Sequence, residues 1–395
     1  MQAIYRPTLA DINLDHLRAN YNAFREALPT DMLLLACVKA NAYGHGAVEV
    51  ARELQQLGAD YLSVAFLDEA LELRQAGITL PILVLGYTPP DGVAEALKHD
   101  ITLTVYSDDV AEALARLPAS SRRLKVHVKI DTGMGRLGFT HHEEALSYIA
   151  HLQELPSVHV EGVFTHYARA DEADKRSVLA QYERFRELIG KLESRGMAIP
   201  YIHAGNSATA IDTPELGCNM VRLGISMYGM YPSGEVDRGR IGLTPLLRLV
   251  SRVIMVKDVP PGTPIGYGGT YVTAGEARIA TIPIGYADGY SRLLSGKAHV
   301  LIHGERRPVV GRVCMDQCMV DVTGMAVKPG DEVVLIGAQG DASIPAEELA
   351  EQLGTINYEV TSMIAARVPK VYVRGGVRVD VVNPLLHQFS TRKKP

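Results

Sequence analysis

The most telling group for covalent chemistry in this sequence is a lysine at the end of an apolar run. Lys39 follows Leu33–Val38 and precedes Asn41-Ala42-Tyr43-Gly44-His45-Gly46, a loop whose one other chargeable group is His45. An amine held beside a desolvated pocket and other cations loses basicity, and its neutral form condenses with a carbonyl. A lysine after a strand is ordinarily a solvated surface residue. The apolar run before Lys39 and the uncharged stretch after it argue for the reactive role.

Further polar groups follow other apolar runs. Asp131 and Arg136 come after Lys125–Ile130, His166 after Val158–Thr165, and Asn206-Ser207 after Tyr201–Ala204. Arg222 lies within Met220–Leu223, with Gly224-Ile225 behind it. An amine, two guanidiniums, an imidazole and a hydroxyl brought to one rim would suit an anionic ligand. Ser207 opens a helical stretch whose free N–H groups, with its hydroxyl, could hold a phosphate; read alone, it is a helix cap. Gly224 would let backbone approach the same anion. Alternation puts His127, Lys129 and Asp131 on one face of their strand. A Lys129 pointing inward is a costly buried charge unless paired, with Asp131 as one candidate partner. A competing motif is Gly133-Met134-Gly135-Arg136-Leu137-Gly138, a G-x-G-x-x-G with Glu154 and Glu161 near the distance of a ribose-binding acid. Against a dinucleotide site, the unit is fifth in a series of eight and Arg136 occupies the loop that should approach pyrophosphate.

The elements that must position these residues alternate. Leu33–Val38, Tyr61–Val64, Ile82–Leu85, Ile101–Val105, Lys125–Ile130, Val158–Thr165, Tyr201–Ala204 and Met220–Leu223 read as strands. Amphipathic stretches separate most of them, the clearest repeating Val178, Tyr182, Phe185, Ile189 and Leu192. Eight βα units predict a closed (β/α)8 barrel, with an open doubly wound sheet as the alternative. In a barrel, reactive groups belong at the C-terminal strand ends, and phosphate sits by the loops after strands seven and eight. Beyond Gly242 the rhythm changes to strands separated by Gly and Pro turns: Leu246–Lys257, Arg278–Ile284, His299–His303, Pro308–Val313, Met319–Val322 and Val333–Ile336, interrupted by a helix over Ala346–Leu353. The reading is a barrel over 1–242 and a mostly β domain over 243–395, with the seam at Val236–Gly242.

The bulk properties narrow the function. A net charge of −5 with scattered Lys and Arg gives no footprint for a nucleic acid. No apolar stretch is long enough to span a bilayer and the N-terminus lacks a signal pattern, so the cytoplasm is the expected location. Cys37, Cys218, Cys314 and Cys318 suit a reduced protein. Cys314 and Cys318 invite a metal reading, but His303 is the nearest further soft ligand and no second pair follows, so no metal is expected.

The run Val38-Lys39-Ala40-Asn41-Ala42-Tyr43-Gly44-His45-Gly46 resembles the attachment signature for pyridoxal phosphate (PLP) in the alanine racemase family. Lys129–Gly138, Phe164-Thr165-His166, His203–Ser207 and Val221–Ile225 are similar to further family blocks in the same order. So are Gly266-Tyr267-Gly268, Gly285–Gly289, Gly311–Asp316 and Asn357-Tyr358-Glu359. The resemblance covers nearly the whole chain. It implies a PLP-binding barrel, a β domain joined by a first strand near Thr8–Asn13, and a head-to-tail homodimer with shared sites. It further implies that Lys39 carries PLP, with Tyr43, Ser207, Gly224, Ile225 and Tyr358 around its phosphate and Asn206 also binding the cofactor. Arg222 would face the pyridine nitrogen, backed by His203 and His166. Arg136 and Met315 would meet the substrate, and Tyr286 and Asp316 would support that wall. Lys39 and the partner's Tyr267 would be the two bases of a racemisation supplying D-alanine for peptidoglycan. The family often carbamylates the lysine corresponding to Lys129, which would remove its charge and supply an anion to orient Arg136. An arginine at the ring nitrogen separates this chain from decarboxylase relatives, and the β domain separates it from PLP-homeostasis proteins. A broad-specificity racemase is the nearest alternative. Thr361-Ser362-Met363-Ile364 and Pro369-Lys370 depart from the family's usual residues, outside the expected site.

Overall fold

The computed structural model describes residues 3–118 and 122–386, and the chain divides into two units. One comprises Leu17–Ala42 and Ala47–Thr244. The other takes the N-terminal segment through His16, Tyr43–Gly46, and the chain from Pro245 onward.

Strand β1 (Leu9–Asn13) belongs to the second unit. The first is built from β2 (Leu33–Cys37), β3 (Tyr61–Val64), β4 (Ile82–Val84), β5 (Thr102–Val105), β6 (Leu124–Lys129), β7 (Val158–Phe164), β8 (Tyr201–His203) and β9 (Met220–Leu223). These pair in the order β8-β7-β6-β5-β4-β3-β2-β9. The ring closes where Asn219 N–H donates to the Ile202 carbonyl (3.1 Å) and Arg222 N–H to the Gly205 carbonyl (3.0 Å). The expected (β/α)8 barrel is what forms, and the open sheet is excluded by this seam. Barrel strands are buried on both faces, which is why they read as apolar runs rather than alternating ones.

Between β7 and β8 runs the helix Arg176–Ser194, which buries Val178, Gln181, Phe185, Leu188 and Leu192. The stripe is thus rotated from the expected one, with Gln181 and Leu188 inside in place of Tyr182 and Ile189. The cause is polar: Gln181 donates to the His166 carbonyl (3.1 Å) and Thr132 Oγ1 (3.3 Å), and accepts from Ala168 N–H (2.9 Å). An apolar pattern cannot register an amide on the buried face.

The second unit contains β10 (Leu247–Arg252), β11 (Met255–Val259), β12 (Pro264–Ile265), β13 (Tyr271–Val272), β14 (Ala277–Ile282), β15 (His299–Ile302), β16 (Glu305–Val310), β17 (Cys318–Asp321), β18 (Glu332–Gln339), β19 (Ala342–Ile344), β20 (Lys370–Arg374) and β21 (Val377–Val382). Apart from the β12–β13 hairpin they join, with β1, a sheet ordered β11-β14-β17-β16-β15-β18-β10-β1-β20-β21, with β19 on β18. β1 pairs antiparallel with β10 and parallel with β20. The run Leu246–Lys257, expected as one strand, is two. Val253 N–H bonds Asp331 while Ile254 N–H bonds Thr281, so the chain leaves one neighbour and turns onto another there. β20, β21 and the helix Asn357–Ser362 carrying Tyr358 escape the sequence pattern. Among the described residues no helix is long and apolar enough to cross a membrane.

Candidate active site

Lys39 stands just beyond β2, at the C-terminal end of the barrel strands. The backbone after it does not form the expected loop. Ala40, Asn41, Ala42 and Tyr43 have φ of 52°, 53°, 53° and 54°, one turn of left-handed helix. Each such L-residue costs roughly 1–2 kcal/mol, so the turn exists only because its surroundings hold it. Ala42 N–H donates to the Val38 carbonyl (2.9 Å), Ala47 N–H to Asn41 Oδ1 (2.8 Å), and Ala40 N–H to Glu69 Oε1 (2.7 Å). Glu69, whose other oxygen receives Ala65 N–H (2.6 Å), is a positioning residue that sequence reading missed. Its signal was an acid in the first turn of the helix Leu67–Gln75.

The turn runs into Tyr43–Gly46 of the β unit. A Cβ on Gly44 (φ +86°) would lie 2.0 Å from the Thr361 carbonyl oxygen, whereas one on Gly58 (φ +75°) would meet nothing within 4 Å. Gly44→Ala should therefore cost more than about 3 kcal/mol, overpacking added to strain, and Gly58→Ala only about 1 kcal/mol. Urea unfolding of the two variants reads the difference, and equal midpoints would refute the assigned clash.

Arg222 is the electrostatic centre of the barrel rim. Its guanidinium is buried, and its Nη2 donates to the carbonyls of Thr165 (2.9 Å) and Ala204 (2.8 Å) and to His166 Nδ1 (3.0 Å). Nη1 donates to His203 Nδ1 (2.9 Å). Among the described residues none of these partners is a carboxylate, and burial lowers Arg222 to about 10. His166 and His203 are held neutral, well below the usual imidazole range, first by burial and then by Arg222. The Phe164 ring stacks on His203 at 4.6 Å and lies 5.5 Å from the guanidinium carbon and 5.3 Å from Lys129 Nζ.

Lys129 is buried, but its partner is not Asp131. Nζ donates to the Ile130 carbonyl (2.7 Å), while Asp131 turns away to accept the N–H groups of Gly133 (2.9 Å), Met134 (2.8 Å), Gly135 (3.1 Å) and Arg136 (3.0 Å). The glycine-rich loop thus spends its donors on the chain's own carboxylate, which removes the dinucleotide reading. Burial, then Arg222, press Lys129 down to about 7, with Asp131 opposing and Arg136 adding. The sign for stability follows. Between about 7 and 10.5 the unfolded chain holds a proton the folded one lacks, so stability rises with pH across that window and is lost as pH falls through 7. Lys129→Met should accordingly gain most over wild type below about pH 7 and progressively less above it, by up to about 1.4 kcal/mol per unit. Urea unfolding in CO2-free buffer measures this; a pH-independent difference would overturn it.

At the ends of β8 and β9 the helix cap is Asn206, whose Oδ1 accepts from Thr209 N–H (3.1 Å), not Ser207. Ser207 Oγ instead accepts from Gly224 N–H (2.8 Å), so its own proton is free to donate. Ile225 is buried just beyond. Arg136 is exposed, though near enough to bear on Lys129, Arg222 and His166. The barrel unit thus holds Lys39, Lys129, Arg136, His166, His203, Asn206, Ser207, Arg222, Gly224 and Ile225. The β unit holds the others. Tyr43 and Tyr358 have ring centroids 6.0 Å apart. Tyr286 N–H donates to the Cys314 carbonyl and Ala287 N–H to that of Met315, both at 3.0 Å, tying those two loops together. Asp316 accepts from Arg367 (2.6 Å), which also grips Asp288 (2.6 Å), a link that sequence reading missed. Tyr267 stands 68% exposed on a glycine-rich turn.

A closed barrel with a lysine at its strand ends and a buried guanidinium whose partners among the described residues include no carboxylate, continued by a mostly β domain, is the build of a barrel enzyme. The chain belongs to the alanine racemase family: residues 12–232 match the family's N-terminal domain and 246–372 its C-terminal domain. It is 48% identical to the alanine racemase of Desulforamulus reducens over 93% of this chain and 99% of the relative. With that of Methanococcus maripaludis it shares 46% over 94% and 100%. The alanine racemase structure from Clostridium difficile 630 superposes with a TM-score of 0.92 at 46% identity, covering 96% of this chain and 99% of the other. That from Bacillus anthracis, with bound L-Ala-P, gives 0.93 at 42%, covering 98% and 100%.

Proposed function

We propose that the chain racemises alanine in the cytoplasm with PLP carried on Lys39, as a homodimer whose product supplies peptidoglycan. The observation that carries this reading is Arg222, a buried guanidinium that among the described residues has no carboxylate partner, on the strand next to the one that Lys39 follows. Such a group is costly to bury alone, and an electron-rich ligand offsets the cost. The residues fit PLP. Lys39 would hold it, Ser207 with its free hydroxyl proton, Asn206, Gly224, Ile225, Tyr43 and Tyr358 would take the phosphate, and Arg222 would face the ring nitrogen. When bound, the cofactor withdraws electrons from the substrate's Cα and acidifies the proton there.

Racemisation then needs a base on each face of that carbon. Lys39 would serve one face and Tyr267 of the partner subunit the other; the exposure of Tyr267 in its own unit supports a role across an interface. Arg136 would orient the substrate carboxylate. Lys129, with a neutral amine accessible near pH 7, is suited to add CO2, giving a carbamate and releasing a proton. Intact mass with and without bicarbonate tests this addition. The bulk of Tyr267, Tyr286, Met315 and Tyr358 favours a small substrate, and comparable turnover of larger amino acids would count against it.

The decisive experiment is a visible spectrum before and after borohydride, peptide mapping, and a D-alanine assay. A yellow protein labelled at Lys39 that forms D-alanine is expected. A protein that stays colourless with PLP supplied would sink the proposal, and failure to rescue a D-alanine auxotroph would remove the peptidoglycan role.

A further inference from the structure

Behind Arg222 the barrel interior contains a line of polar groups that the reaction outlined above does not use. His203 Nε2 and His127 Nδ1 are 2.8 Å apart, and His127 Nε2 lies 3.4 Å from Glu161 Oε2. Tyr61 donates to the same Glu161 oxygen (2.9 Å), and Thr102 Oγ1 is 2.5 Å from the Tyr61 hydroxyl. Both imidazoles are fully buried and Glu161 nearly so. Gly162 makes room for the line, since a Cβ there would stand 2.5 Å from the His127 ring.

The chemistry of the two ends dictates every proton between them. A guanidinium only donates and a carboxylate only accepts. Arg222 gives a proton to His203 Nδ1, so the His203 proton sits on Nε2 and points to His127 Nδ1. The His127 proton then sits on Nε2 and points to Glu161. We infer that Glu161 is a positioning residue for Arg222, acting through His127 and His203 along this one-way chain of hydrogen bonds; the inference rests on Arg222 facing the cofactor's ring nitrogen.

The surroundings agree with neutral rings between charged ends. Burial draws Glu161 up, but the hydrogen bonds of His127 and Tyr61 and the nearby Lys125 outweigh it and leave the carboxyl below its usual range. His127 is lowered, by burial first, with Glu161 opposing and Arg222 and His159 adding. Tyr201 packs its ring 6.0 Å from His127 and 6.2 Å from Tyr61, closing the remaining side. With glutamine at 161 the end group could donate as well as accept. His127 could then turn its proton towards His203, which would set two N–H groups against each other at Arg222.

A network that merely held the barrel together would change stability but not proton positions or cofactor colour. The test is histidine-15N NMR on the holoenzyme, wild type and Glu161→Gln, with absorption spectra and kinetics. Wild type should show His127 and His203 as neutral Nε2–H tautomers. Glu161→Gln should mix or reverse them, shift the visible band, and lower kcat about tenfold or more with KM moving less than about threefold. Tyr61→Phe keeps the carboxylate and guards against a folding failure; both histidines should stay Nε2–H, while the visible band and kcat move in the same direction as in Glu161→Gln but less, by about threefold in kcat. An Nδ1–H ring or an imidazolium at either histidine in wild type would overturn the inference. So would altered tautomers in Glu161→Gln with wild-type colour and kcat. The tautomers are read whether or not the protein is coloured, so failure of the cofactor reading and failure of this one are told apart.

Discussion

Lys39→Ala is expected to lower kcat by at least about four orders of magnitude, because under the proposed mechanism one amine both carries the cofactor and moves the proton on one face. Stability should barely change. Among the described residues the Lys39 side chain makes no hydrogen bond, and the neighbouring turn is held by the backbone and by Glu69. The purified variant should lack the borohydride-fixed label. Exchange of the Cα proton in heavy water should be lost on the face that Lys39 serves. Mixing it with Tyr267→Phe gives a sharper reading. If each site draws Lys39 from one subunit and Tyr267 from the other, a hybrid dimer regains one intact site, and two inactive preparations regain activity on subunit exchange. Activity that stays absent after verified exchange would exclude the shared-site arrangement.

Arg222→Glu is expected to change what the enzyme makes as well as how fast. A guanidinium keeps its proton and only lends it, so a ring nitrogen held opposite Arg222, as proposed, would remain a weak electron sink. A carboxylic acid can hand a proton over. The deprotonated substrate would then live longer and be reprotonated at the wrong atom more often. Racemisation should fall about 10²- to 10³-fold, in line with loss of an organised electrostatic group, and pyruvate should appear beside D-alanine in an amount limited by the cofactor, which would keep the amino group. The carbonyls of Thr165 and Ala204 would also lose their donor, at about 1–3 kcal/mol each, so thermal stability should drop. Chromatographic separation of pyruvate from D-alanine measures the partition. A folded variant with normal turnover and no pyruvate would remove Arg222 from the reacting centre.

The barrel was legible in the sequence because its strands are short apolar runs spaced by amphipathic helices, and most of their ends fall within a residue of those expected. Groups directly after strands were legible for the same reason, since strand ends place them. What escaped depends on contacts between distant segments. Nothing local in Ala40-Asn41-Ala42-Tyr43 announces a left-handed turn, because no glycine marks it and the restraint comes partly from Glu69. Gln181 lies outside the apolar stripe read from the sequence, and only its amide's bonds to His166 and Thr132 account for its place on the buried face. Glu161 stood out only as the acid of a dinucleotide motif, and its bond to His127 crosses from one strand to the next. The corner at Val253-Ile254 was hidden because one residue bonds β18's side and the next bonds β14's.

The barrel's pairing order also has a consequence for how the protein is born. β2 and β9 are neighbours in the ring, with Leu35 opposite Arg222, yet they are the first and last barrel strands to leave the ribosome. Pairings so distant in sequence form late. The growing chain therefore carries Lys39 through the synthesis of six further strands, β3 to β8, before the strand that bears the arginine follows. If Lys39 carries the cofactor as proposed, it has until then no neighbouring guanidinium to hold an aldehyde in register, and a polypeptide cut short of β9 would be a nucleophile without an enzyme.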